Sequence, residues 1–145
     1  MGDEIGVKLT IISDSLTASE IDEYIGIKCN ESQKRGELNR LGTKRYDHHV
    51  WFFKTRYNVL PDEYIGDKID RQVDQLLSKV KGKADRIREL SRDNSVIFGL
   101  YFFAESVPPL GLSKGQIEAI AGLGADLDID VILHGNSKVA NDLAE

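Results

Sequence analysis

Apolar and polar positions alternate from Val7 to Ile12, placing Val7, Leu9 and Ile11 on one side, and this period of two predicts a first strand. A helix-start signal follows. Thr17 at the N-cap and Glu20 three residues later form a capping box, in which each side chain satisfies a backbone N–H that the helix start leaves orphaned. The spacing predicts a helix over about Ala18 to Ile25, ended by Gly26 in the left-handed C′ position. No periodicity is evident from Lys28 to Tyr46, and the aromatic run from His48 to Thr55 predicts a second strand. After Pro61, Ile65, Ile69, Val73 and Leu77 recur every four residues, with Leu76 and Val80 widening the stripe, as in a long amphipathic helix. Gly82 interrupts it, and Ala84, Ile87 and Leu90 predict a second, short helix. Ser95 to Ala104 is almost continuously apolar, which predicts a central strand covered on both faces. Pro108, Pro109 and Gly111 mark a loop, and Leu127, Ile129, Val131 and Leu133 alternate with Asp128, Asp130 and Ile132 as a last strand.

One part of this pattern occurs twice. The segment from Leu16 to Ile27 returns weakly as Leu112 to Leu123, with Ser113 and Gln116 as the second capping box. Leu16 with Ile21 and Leu112 with Ile117 supply matching hydrophobic staples, and Gly122 stands where Gly26 stands in the first copy. Each capped helix follows a strand-like run. The expected architecture is therefore α+β: duplicated βαβ units combining into a ferredoxin-like four-stranded sheet, with a helical insert between the halves. The expected boundaries form one domain over residues 1–145, with βαβ at 6–56, the insert at 62–92, βαβ at 94–134 and a tail at 135–145.

Composition narrows the function classes. A chain of 145 residues is long enough to bury a core without metals or disulfides, and its one cysteine, Cys29, fits a reducing cytoplasm. No apolar stretch approaches the roughly 20 residues that span a bilayer, so no membrane partner is expected. The net charge of -5 argues against nucleic acid, which is normally met by a basic stripe, and permits a basic protein partner.

Candidate chemistry lies where the two copies differ. Only Gly124 and Ala125 join helix to strand in the second copy, whereas the first uses the whole segment from Lys28 to Tyr46. That loop concentrates Lys28, Lys34, Arg35, Arg40, Lys44 and Arg45 against only Glu31 and Glu37. Lys34, Arg35 and Arg40, with Gly36 allowing close backbone approach, are candidate ligands for a small anion, although a solvated loop is the plainer reading. Trp51 lies on the strand beside it and is a candidate pocket residue, the plainer reading being core. Asp126, Asp128 and Asp130 share one strand face; charge on an edge strand that guards against aggregation explains them better than cation binding. His48 and His49 point to opposite faces of a strand and cannot easily hold one metal together. No nucleophile elbow, phosphate loop or paired zinc-ligand spacing occurs, so no catalytic set, metal or cofactor is expected.

With these residues in view, the chain resembles a family of small bacterial α+β proteins known only as a domain of unknown function. The resemblance runs through Glu20-Ile21-Asp22-Glu23-Tyr24-Ile25-Gly26-Ile27, Lys34-Arg35-Gly36-Glu37, the Trp51 strand, Leu76-Leu77, and Leu112-Ser113 to Leu127-Asp128-Ile129-Asp130-Val131. It implies a compact cytoplasmic domain and brings no activity or catalytic residues. Small acidic proteins of this sort are associated with immunity or accessory roles. The leading expectation is thus a non-catalytic interaction domain of immunity or accessory type that binds a basic partner, with Asp128 and Asp130 in contact. The alternatives are a sensor for a small anionic ligand built on the loop 28–45, and, last, a metal-dependent hydrolase using the aspartates and histidines.

Overall fold

The computed structural model describes residues 4–55, 65–107 and 109–134. In chain order they form β1 (Glu4–Ser13), α1 (Ala18–Ile25), β2 (Glu31–Gln33), β3 (His49–Lys54), α2 (Ile65–Val80), a 3-10 turn (Lys81–Lys83), α3 (Ala84–Leu90), β4 (Ser95–Ala104), α4 (Lys114–Gly122) and β5 (Asp126–Leu133). The expected helix start at Pro61 and the tail from Gly135 lie outside the described residues. The fold is α+β on one mixed sheet of five strands, ordered β2-β3-β1-β4-β5.

The long β1 sits at the centre and pairs antiparallel with both β3 and β4, setting Leu9 opposite Phe53 on one side and Phe98 on the other. Val7, Leu9 and Ile11 share a face with Trp51 and with Val96, Phe98 and Leu100. The helices pack on that face. The α2 stripe of Ile69, Val73, Leu76 and Val80 joins Ile21 and Ile25 of α1, Ile87 and Leu90 of α3, and Ile120 of α4 in one continuous core. Burying each such side chain stabilises the fold by about 1.5–3 kcal/mol relative to leaving it in water.

The structure departs from the four-stranded expectation in two ways. A fifth strand, β2, arises inside the segment without periodicity, where three residues are too few to show a pattern. In addition, β3 runs antiparallel to β1, so β3 is not the return strand of a βαβ crossover. That return is β2, which runs parallel to β1 with β3 lying between them. In the second half α4 links β4 directly to its parallel neighbour β5.

The two-sided cover expected for β4 is also absent among the described residues. Its buried residues alternate with half-buried ones, because the helices lie on one face only. The apolar side chains of the other face pack laterally instead: the Tyr101 ring lies over Gly6, Phe103 stacks on His134 at 4.4 Å, and Lys8 caps the Phe52 ring at 4.9 Å.

Both capping boxes form, Thr17 with Glu20 and Ser113 with Gln116. Ile21 is buried, whereas its counterpart in the second copy, Ile117, is 53% exposed. The second C-cap differs too. α1 ends at Gly26 with φ 82°, whereas α4 continues through Gly122 and turns only at Gly124, φ 70°. A Cβ on Gly124 would stand 2.2 Å from Ser91 Oγ and 2.8 Å from Ser91 Cβ, while one on Gly122 would meet nothing within 4 Å. Gly124→Ala is therefore expected to cost about 2–3 kcal/mol, from left-handed strain plus the collision. Gly122→Ala should be neutral or stabilising by up to about 1 kcal/mol. Urea denaturation of the two variants checks this; equal stabilities would mean the turn lies elsewhere.

Candidate functional site

Topology makes β5 the outer strand of the sheet, with no neighbour beyond it among the described residues. Register then sorts its side chains. Asp126, Asp128 and Asp130 pair with Ile97, Gly99 and Tyr101 and fall on the face that carries no helix among the described residues. Leu127, Ile129 and Leu133 pair with Phe98, Leu100 and Ala104 and fall on the helix side, yet α4 leaves them 41%, 44% and 52% exposed. Ile117 extends this apolar row. At about 100° per residue it lies on the flank of α4 opposite Gly115, Ala119 and Gly122, which face the groove toward α2 and α3. It is thus turned toward the β5 edge. A strand offering unpaired backbone groups, an acidic row and an apolar row is equipped to receive an extended segment. The Asp spacing was legible in the sequence. The exposed apolar row was not, because the same alternation describes a half-buried inner strand.

The basic loop is an ordered hairpin. Tyr46 N donates to Glu37 O at 2.9 Å, Gly36 N to Tyr46 O at 2.9 Å, and Asn39 N to Lys44 O at 2.8 Å, around a turn at Gly42 with φ 69°. Several of its cations are used within the arm. Arg45 donates to the Gly36 carbonyl at 2.7 Å, Arg35 reaches the Asp14 carbonyl at 3.3 Å, and Lys44 lies 3.9 Å from Asp47. The side chains of Lys34 and Arg40 are exposed and make no hydrogen bond or ion pair among the described residues, while the Lys34 carbonyl accepts from Glu37 N at 3.1 Å. The hollow beside the hairpin measures about 230 Å³, and neither Lys34, Arg35, Gly36 nor Arg40 lines it. The structure does not bring the proposed anion ligands into one cavity.

The histidines anchor the base of this arm. The Arg35 backbone N–H donates to His49 Nδ1 at 3.1 Å, and His48 Nδ1 contacts Asp14 Oδ1. The His48 hydrogen bond holds the Asp14 carboxyl below its ordinary value. Among the described residues no three His, Cys, Asp or Glu side chains gather so as to hold a metal ion.

Trp51 is wholly buried in the core, which agrees with the plainer of its two readings. Its partner is Asp22, whose Oδ1 accepts from Trp51 Nε1 at 2.7 Å and from the Cys29 backbone N–H at 2.8 Å. This carboxylate on α1 thereby ties the helix to β3 and to the chain leaving it. Burial first, then the charge and hydrogen bond of Asp22, push the Cys29 thiol above its ordinary value, so it is a poor nucleophile. Sequence reasoning missed Asp22, since a lone acid in a helix gives no sign of a distant indole.

A second polar bridge joins α4 to α2. Gln116, only 5% exposed, donates through Nε2 to Asp70 Oδ1 at 2.8 Å and to Asp74 Oδ1 at 3.0 Å. It closes one end of a groove of about 650 Å³ between α2, α3 and α4, with Leu77, Val80 and Leu123 among its apolar lining.

No helix among the described residues is long and apolar enough to cross a membrane. Comparison with known proteins finds no matching curated protein and no matching solved structure. Residues 3–134 match the family DUF4279, a domain of unknown function, and the chain belongs to that family.

Proposed function

We infer that the chain is a non-catalytic interaction domain that binds a basic protein partner at the β5 edge. The observation that carries this reading is the exposed alternation of Asp126, Asp128 and Asp130 with Leu127, Ile129 and Leu133 on an outer strand. Complementary charge steers encounter and sets register, and the apolar row supplies contacts that gain from losing water. A net charge of -5 favours a basic surface on the partner, and an immunity or accessory role, in which the domain occludes that surface, fits this chemistry. Cys29 fits a reducing cytoplasm. A duplicated, ferredoxin-like origin for the halves rests on the two matching capping boxes. The anionic-ligand alternative at the hairpin is weaker because Lys34, Arg35 and Arg40 do not line the hollow beside it, which only Lys44 and Arg45 of the loop's cations reach.

The test compares the native chain with Asp128→Lys/Asp130→Lys in capturing partners at about 150 mM salt, where the Debye length is about 8 Å. The native chain is expected to retain a basic protein. The double variant should associate about tenfold more slowly and with a shallower salt dependence. Retention of the same protein at an unchanged rate, by a variant with native circular dichroism, overturns the reading.

A further inference from the structure

Resting on the β5 reading above, we propose that the partner enters as an added strand: an extended segment with Lys or Arg at alternate positions and apolar residues between them, hydrogen-bonded along the free edge of β5.

The argument begins with the backbone. β5 pairs with β4 on one side over Asp126–Leu133, so the groups pointing the other way have no strand to meet among the described residues. Sheet edges of this kind are normally short, charged on both faces, bulged or covered. β2, at the opposite edge, is only three residues long. β5 is eight residues long, and among the described residues no element covers it. Its charge is confined to one face, and its other face leaves Leu127, Ile129 and Leu133 41–52% exposed with Ile117 alongside. An incoming strand has the same period of two as β5, so one set of its side chains meets the aspartates and the other meets the leucines and Ile129. Only an alternating basic and apolar segment satisfies both rows.

The same geometry argues against a second copy of this chain as the occupant. Antiparallel self-pairing that keeps both helix layers on one side and is centred on Ile129 sets Asp128 opposite Asp130 twice. Centring on Asp128 or Asp130 sets that aspartate against itself. Like charges directly opposite destabilise a strand pair. In the registers centred on Asp128, Ile129 and Asp130 the acidic row therefore disfavours self-pairing while it accepts a basic strand.

The probe is a capped octapeptide alternating lysine and valine, titrated into the full chain. Binding is expected, with slowed amide hydrogen exchange at Asp126–Leu133. The same peptide N-methylated at every second residue keeps its charge and side chains but loses one edge of backbone donors, and should bind at least about tenfold more weakly. Asp128→Lys/Asp130→Lys should weaken the unmodified peptide to a similar degree, and an octapeptide alternating glutamate and valine should not bind. Failure of the lysine–valine peptide to bind overturns strand addition, as does equal affinity for the N-methylated form. Either result leaves the basic-partner reading standing if the charge-reversed chain still loses its captured protein. Loss of strand addition together with unchanged capture removes both.

Discussion

Asp22→Ala is expected to lose about 3–5 kcal/mol of stability. The carboxylate serves two donors at once, the indole N–H of the wholly buried Trp51 and the backbone N–H of Cys29. Removing it leaves both unpaired, and each orphaned buried donor costs about 1–3 kcal/mol. A small domain has only about 5–15 kcal/mol in total, so urea unfolding should shift far toward lower denaturant. Asp22→Asn keeps an acceptor oxygen and should lose much less. The thiol offers an independent readout. Asp22 raises the Cys29 value both by charge and by hydrogen bond, so Asp22→Asn should lower it toward the ordinary 9.0 and speed alkylation of the folded protein at mildly alkaline pH. Near-native stability in Asp22→Ala would mean that the indole finds another acceptor.

Gln116→Glu is expected to cost about 3 kcal/mol at neutral pH. The wild-type amide donates to Asp70 and Asp74, and hydrogen bonds to charged groups contribute about 1.5–3 kcal/mol each. Glutamate at this position has no N–H to offer and adds a third carboxylate to the two already there. Its acid form is favoured in the fold, so its folded value lies above the unfolded one, about 4.3. Stability linked to such a group is fully present below the unfolded value and is lost as pH rises through the folded value. The deficit of Gln116→Glu should therefore shrink on acidification and be largest at neutral pH. The equivalent residue of the first copy behaves oppositely. Glu20 accepts from the Thr17 backbone N–H, which holds its carboxyl below the ordinary 4.5, so its contribution is present above 4.5 and is lost as pH falls through the folded value. Thermal melts across acid and neutral pH distinguish the two signs. A deficit that does not change with pH would place the glutamate in water, away from the aspartates.

The contrast between these positions shows how far the repeat could be read. Both capping boxes were legible because a cap is decided by residues within one helical turn. What the third capping position also does was not legible, since Asp70 and Asp74 lie far away in the chain. The exposure of Ile117 has a related reason. α4 turns Gln116 and Ile120 inward toward α2 and the sheet, and that rotation leaves Ile117 on the outer flank.

The sequence by itself determined the local elements of this protein. Alternation marks β1 and β5, a period near four marks α2, and short-range hydrogen bonding marks the starts of α1 and α4. These signals arise from a residue and its neighbours a few positions away, so they survive without any knowledge of the rest. Only the tertiary structure decided that β3 runs antiparallel to β1 and that, among the described residues, the helices lie on one face and β5 is outermost. Strand pairing brings together residues distant in sequence, and its choice depends on the summed burial of the whole sheet rather than on any one segment. The aspartates of β5 already suggest an edge strand in the sequence, whereas the exposed apolar row on the other face shows only in the fold. Their place at a free edge comes from the strand order, in which no strand lies beyond β5 among the described residues.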